Sequence, residues 1–227
     1  MTEQVKQDLK GHFYLITGAT QGLGRAIGMA LAQRGAHIVA FAKTQQKLEA
    51  LSDAYAVAGL PLPILQAYDL CTLTHAQAQH FAESLSMVTP VLHGLYHCAA
   101  NPVSLTPCAY YPSTQWAEVL HLHLTAPFFL TQALWPLLSK APKSRVVIAH
   151  DKVTEGEIPF WGAYAAAKAG LVQVMQCWAS ESTHSSVHFE IHELEPFRTE
   201  LRRRLYPGHA LSHWPEVSDA VSKVLAD

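Results

Sequence analysis

The sequence predicts an α/β protein: a Rossmann-like, doubly wound parallel sheet of about six strands, with helices on both faces and a single domain over 1–227. Three observations carry that prediction. Short apolar runs alternate with longer amphipathic segments. The apolar runs lack the in–out polar alternation of a half-exposed sheet. A glycine-rich turn joins the first apolar run to the first amphipathic segment. Right-handed crossovers between such units place ligands outside the carboxyl ends of the strands.

The elements follow in order. "HFYLIT" (12–17) is the first strand, and "GRAIGMALAQRG" (24–35) is a helix closed by Gly35. "HIVAFA" (37–42) is the second strand, followed by the helix "TQQKLEALSDAYAVAG" (44–59) with Thr44 as its N-cap. "PILQAY" (63–68) is the third strand, and a helix runs from Thr72 to near Met87. "VLHGLYHCAA" (91–100) contains the fourth strand. "STQWAEVLHLHLTAPFFLTQALWPLLSK" (113–140) reads as one long helix with Pro127 and Pro136 as candidate kinks. "RVVIAH" (145–150) is the fifth strand, "WGAYAAAKAGLVQVMQCWASEST" (161–183) a further helix and "VHFEIHEL" (187–194) the sixth strand. No linker, low-complexity tract or internal repeat interrupts this order.

Composition narrows the function classes. A hydrophobic share of 49% with only 15% charged residues suits several fully buried strands and argues against disorder. A net charge of −2 gives no global attraction to nucleic acid or anionic membrane, so neither is an expected partner. Cys71, Cys98, Cys108 and Cys177 show no paired spacing, and the opening residues read as no secretory leader, so the cytoplasm is the expected compartment. No apolar run reaches the ~18 residues of a membrane span. Among fourteen histidines, His188/His192 and His209/His213 have i, i+4 spacing, but neither pair belongs to an H-E-x-x-H pattern. No metal is expected.

The first strand–helix junction reads Thr17-Gly18-Ala19-Thr20-Gln21-Gly22-Leu23-Gly24. Glycines let the backbone approach an anion closely, and the helix behind offers its positive end to a pyrophosphate. Packing alone can also shape such a turn. The spacing G-x-x-x-G-x-G, joined in order with Tyr164-Ala-Ala-Ala-Lys168 far downstream, resembles the short-chain dehydrogenase/reductase family over nearly the whole chain. The resemblance implies that Thr17, Gly18, Thr20, Gln21, Gly22, Leu23 and Gly24 cradle a dinucleotide. It assigns Asp69, with Leu70, to the adenine, Ala99 to the strand-four end, and Pro196 and Thr199 to the nicotinamide side. At the end of the second strand Lys43 stands where an acid would bind a ribose hydroxyl. An ammonium attracts a 2′-phosphate, so NADP(H) is favoured over NAD(H) as cofactor; otherwise Lys43 is a solvated residue heading a helix.

The family's chemistry would fall to Tyr164 and Lys168, one turn apart on one helix face. The ammonium would lower the phenol's pKa and hold the nicotinamide ribose, and the phenol would protonate a carbonyl oxygen. Two further roles are altered. Asp151 stands where the family has a carbonyl-orienting Ser, and His123 falls on its relay Asn. The family's N-N-A-G reads His97-Cys98-Ala99-Ala100, and its Pro-Gly reads Pro196-Phe197. An ionised Asp151 offers acceptors only. It either stays protonated and donates, accepts from a substrate hydroxyl or ammonium, or marks a site under no catalytic demand. His123 can both donate and accept, as a relay must.

The segment 197–214 is expected to form a substrate lid, with Arg202, Arg203 and Arg204 either receiving an acidic substrate or forming a solvated helix face. The chain stops without the family's seventh strand, so a homodimer through helices 113–140 and 162–184 is expected. The resulting expectation is an NADP(H)-dependent oxidoreductase acting on a small-molecule carbonyl or alcohol. The alternative is a catalytically impaired relative that binds dinucleotide or a protein partner without turnover.

Overall fold

The computed structural model describes residues 8–101, 104–152, 159–205, 208 and 213–226. Their order is β1 (Phe13–Thr17), α1 (Gly22–Ala32), β2 (His37–Ala42), α2 (Gln45–Val57), β3 (Ile64–Ala67), α3 (His75–Ser86), β4 (Gly94–His97), α4 (Ser113–Leu120), α5 (Ala126–Leu138), β5 (Ser144–Asp151), α6 (Gly162–Glu181), β6 (Val187–Leu194), α7 (Glu200–Leu205) and α8 (Val217–Val224). The six strands form one parallel sheet in the order β3-β2-β1-β4-β5-β6. The chain winds outward from β1 to β3, then crosses to β4 on the other side of β1. The switch point therefore lies between β1 and β4, where a crevice opens at the strand ends.

Successive strand residues feed opposite faces. Leu15, Val39, Leu95 and Val146 are in register and join the core under α3, α5 and α6. Their neighbours Ile16, Ala40, Tyr96 and Val147 join the core under α1, α2 and α8. Both faces of the inner strands are covered, which is why β1, β2 and β4 show no polar alternation, while the edge strand β6, VHFEIHEL, does alternate.

One helix start follows local side-chain chemistry closely. Thr74, not Thr72, begins α3: its hydroxyl accepts from Gln77 N while the Gln77 side chain accepts from Thr74 N, a reciprocal cap. Thr44 precedes α2 as expected, yet its side chain makes no capping bond. α8 is an amphipathic helix whose Ala220, Val221 and Val224 pack on the α1 face. No helix among the described residues is long and apolar enough to cross a membrane.

The expected single helix over 113–140 is broken, though not at either proline. Residues His121–Thr125 form a π-helical turn between α4 and α5, and Ala126 N donates to His121 O, five residues back. Pro127 is the cause: it lacks the N–H that His123 O would accept, and its ring would crowd that carbonyl. The irregularity therefore appears one turn ahead of the proline, and it carries His123. Pro136 sits inside α5, which continues to Leu138.

Candidate active site

The cofactor side is built from backbone. After β1 the chain turns at Gly18, whose φ is +65°, and a Cβ there would lie 2.7 Å from Ala99 Cα. Only glycine lets this turn pass so close to the end of β4. A Cβ on Gly24 would lie 2.6 Å from Gly18 O, so glycine also lets α1 begin directly against the turn. Thr17 Oγ1 ties the two strand ends together. It accepts from Cys98 N at 3.1 Å and Ala99 N at 3.2 Å, and donates to Tyr96 O at 3.3 Å. Gln21 makes no side-chain cap on α1, so the helix start remains open to an acceptor from the cleft.

A cleft of about 250 Å³ runs from this turn across the strand ends. Gly18, Thr20, Gln21, Gly22 and Leu23 line one side, and Lys43, Asp69, Leu70 and Ala99 the ends of β2, β3 and β4. Asp151, Tyr164, Lys168, Thr199 and Arg202 line the other end. Of the residues singled out from sequence, Thr17, Gly24, His123 and Pro196 are not on this wall. Thr17 and His123 line a small void behind it, together with His97 and Lys168. Beyond β6 it is Phe197, not Pro196, that reaches the cleft. Lys43 Nζ lies 2.8 Å from Asp69 Oδ2, a pairing that sequence reading did not connect. Asp69 Oδ1 also accepts from Cys71 N at 3.0 Å.

At the chemical end, Tyr164 and Lys168 project one turn apart from α6, and both are buried. Lys168 Nζ donates to Ala149 O on β5 at 2.6 Å. Burial lowers the Lys168 ammonium to about 8, with the Asp151 carboxylate opposing that fall. The expected lowering of the phenol does not hold in this environment. Burial raises the Tyr164 pKa above its ordinary value, Asp151 adds to the rise, and Arg202 opposes it. The Lys168 ammonium stands 6.0 Å from the phenol ring's centroid, too far to outweigh burial. At neutral pH the phenol is therefore a protonated donor.

His123 meets Tyr164 edge to face, with ring centroids 4.8 Å apart, so the π turn delivers it to the phenol. Burial, aided by Lys168, lowers its pKa to about 3, and its Nε2 is buried without a hydrogen-bond partner. It is a neutral imidazole at physiological pH. His97, where the sequence departs from the family's N-N-A-G, is equally buried and also lowered to about 3. Its Nε2 lies 2.9 Å from Thr131 Oγ1, whose proton goes to Pro127 O at 2.8 Å. His97 must therefore be the donor in that pair, which fixes its Nε2–H tautomer.

The arginine run divides. Arg203 and Arg204 turn outward to Glu200. Arg202 turns inward, only 7% exposed, and its Nη2 donates to Asp151 Oδ2. The Asp151 carboxylate thus has a partner that no sequence reading named. A buried cation next to two exposed ones in "ELRRRL" has no local signature. Part of the expected lid, 206–207 and 209–212, lies outside the described residues, as does His209. Among the described residues no group of three or more metal-ligating side chains converges.

Comparison with known proteins agrees with this geometry. A family model described as short chain dehydrogenase matches residues 12–209. The "Uncharacterized oxidoreductase YciK" of Escherichia coli K12 is 32% identical over 182 residues, 80% of this chain and 72% of that one. A short chain dehydrogenase structure from Shigella flexneri 2a, complexed with NADP, has a TM-score of 0.90 at 28% identity, covering 98% of this chain and 94% of that one. Another from Escherichia coli CFT073, complexed with NADPH, has a TM-score of 0.89 at 28% identity, covering 96% and 93%. With the glycine turn, the Tyr–Lys couple and the six-stranded sheet all in their places, the chain belongs to the short chain dehydrogenase family of oxidoreductases.

Proposed function

We propose that this protein is an NADP(H)-dependent oxidoreductase that reduces a carbonyl group or oxidises the matching alcohol. The single observation carrying this reading is that Tyr164 and Lys168 open onto the same cleft as the glycine turn. When bound, the nicotinamide cofactor supplies or accepts the hydride. The turn at Gly18–Leu23 and the open start of α1 suit its pyrophosphate, because backbone N–H groups and the helix dipole both favour an anion there. Lys43, 64% exposed at the cleft rim, supports a preference for a 2′-phosphate. Thr199 stands beside Gly22 on the cleft wall and would hold the carboxamide of the bound nicotinamide.

Tyr164 transfers its proton to the carbonyl oxygen. Lys168, anchored on Ala149 O, keeps a positive charge near the phenol and stabilises the phenolate left behind. His123, neutral and edge-on to the phenol, restricts the ring's orientation and closes the site from behind. The homodimer expected through 113–140 and 162–184 belongs to this reading as an expectation from the family resemblance.

A second reading, a relative that binds dinucleotide without turnover, is favoured by one observation: Asp151 raises the phenol's pKa and offers only acceptors. Calorimetric titration with NADPH and NADH, followed by a carbonyl panel read by NADPH oxidation, separates the two. Turnover that Tyr164→Phe abolishes while NADPH still binds supports the enzyme. NADPH binding with no turnover on any carbonyl supports the silent relative.

A further inference from the structure

Beside the phenol the cleft holds two opposite charges to which the reaction above gives no task. Asp151 ends β5 and can only accept. Arg202 reaches it from α7, whose start is fixed by Thr199 Oγ1 accepting from Arg202 N at 3.2 Å. Nη2 is held by Asp151, while Nη1 is buried with no hydrogen-bond partner. A buried guanidinium with one arm satisfied and the other bare is unfavourable, and such a group calls for an explanation in function.

Carbonyl reduction builds negative charge on an oxygen that can accept two hydrogen bonds. Tyr164 provides one. Lys168 Nζ is directed to Ala149 O, and His123 sits behind the phenol ring. The guanidinium and the phenol line the same end of the cleft, with Asp151 between the strand end and the arginine. We propose that Arg202, aimed by Asp151, donates from Nη1 to the substrate's carbonyl oxygen and so supplies the second donor of the site. This inference rests on the carbonyl-reduction reading above. As the carbonyl carbon gains a hydride, the π pair moves to oxygen and takes the phenolic proton of Tyr164. The guanidinium keeps all its protons and holds the oxygen by a hydrogen bond. Arg202 is then a catalytic residue and Asp151 its positioning residue.

The test compares wild type with Arg202→Gln, Arg202→Lys, Asp151→Ser, Arg202→Gln/Asp151→Ser and the control Arg203→Gln. Arg202→Gln should lower kcat by about 10²–10³-fold, as loss of one oxyanion donor does, with NADPH affinity unchanged. Arg202→Lys keeps the ion pair and the fold but cannot offer a second fork arm, so it should stay impaired. Adding Asp151→Ser to Arg202→Gln should recover rate, because a hydroxyl can donate where the carboxylate cannot. Arg203→Gln should match wild type. An Arg202→Gln enzyme with wild-type kcat overturns the inference and leaves the carbonyl-reduction reading intact.

A second measurement needs no turnover: trifluoroethanol, a product-alcohol mimic, is titrated into the NADP⁺ complex. Arg202→Gln should weaken its binding about tenfold, the equivalent of one charge-assisted hydrogen bond. Weakened binding with a wild type that reduces no carbonyl keeps Arg202 as the oxygen donor and sinks the reduction reading. Unchanged binding in the variant, or none to wild type, overturns the inference.

Discussion

The two ends of the cleft are built by different means. At the cofactor end, glycines at 18 and 24 bring backbone against backbone, and a hydroxyl on Thr17 laces β1 to β4. Among the described residues, the one charge pair at that end is Lys43–Asp69, at the partly exposed rim. The chemical end is instead assembled by side chains from four separate elements: His123 from the π turn, Asp151 from β5, Tyr164 and Lys168 from α6, and Arg202 from α7. A backbone cradle tolerates little change in sequence, whereas a side-chain constellation can exchange one donor for another. Of the departures from the family pattern expected from the sequence, those at 123 and 151 fall on the second end, whereas His97-Cys98-Ala99-Ala100 lies beside the cradle.

The largest expected effect sharpens this contrast on the side-chain end. Asp151→Ala leaves a buried guanidinium without its carboxylate and should lower unfolding free energy by about 3–5 kcal/mol in urea titrations. Arg202→Met added to Asp151→Ala removes both charges and should restore most of that loss. If the single variant is as stable as wild type, the ion pair is not a structural tie.

At the cradle, Gly18→Ala forces a side chain into a positive-φ turn and against Ala99. It should cost about 1–3 kcal/mol of stability and remove measurable NADPH binding by calorimetry. Retained affinity would mean that the cradle is not the binding site.

Acid should act at the chemical end first. His97 and His123 have folded pKa values of about 3 against about 6.5 unfolded, so the unfolded chain binds more protons between these limits. Their stabilising contribution is complete above about pH 6.5 and is lost as pH falls toward about 3. Urea unfolding at several pH values should therefore show a shallower acid slope for His97→Gln than for wild type. Equal slopes would contradict the assignment of a buried neutral His97.

Smallest is the effect at the cleft rim. Lys43→Ala should reduce the NADPH-over-NADH preference by a few-fold, about what a screened, exposed charge provides. No change would show that Lys43 serves Asp69 alone.

What the sequence made legible follows the same division. Apolar runs placed all six strands to within a few residues because burial on both faces writes itself into consecutive positions. The glycine turn was readable because positive φ and close approach exclude other residues locally. The π turn was displaced from the expected proline kinks because Pro127 acts on the carbonyl four residues earlier, not on its own position. The Asp151–Arg202 pair was illegible: 51 residues separate its partners, and Arg202 looks like Arg203 and Arg204 until the fold turns one of the three inward. The phenol's raised pKa was likewise hidden, since burial is a property of the packed α6 and not of its sequence.

The most direct measurement of the central claim is isotope transfer from NADPH deuterated at the reactive nicotinamide carbon. With a carbonyl substrate from the panel, deuterium should appear on the product's alcohol carbon, and Tyr164→Phe should abolish that transfer while still binding NADPH. Bound NADPH that delivers no deuterium to any carbonyl, or transfer that proceeds undiminished without the phenol, would contradict it.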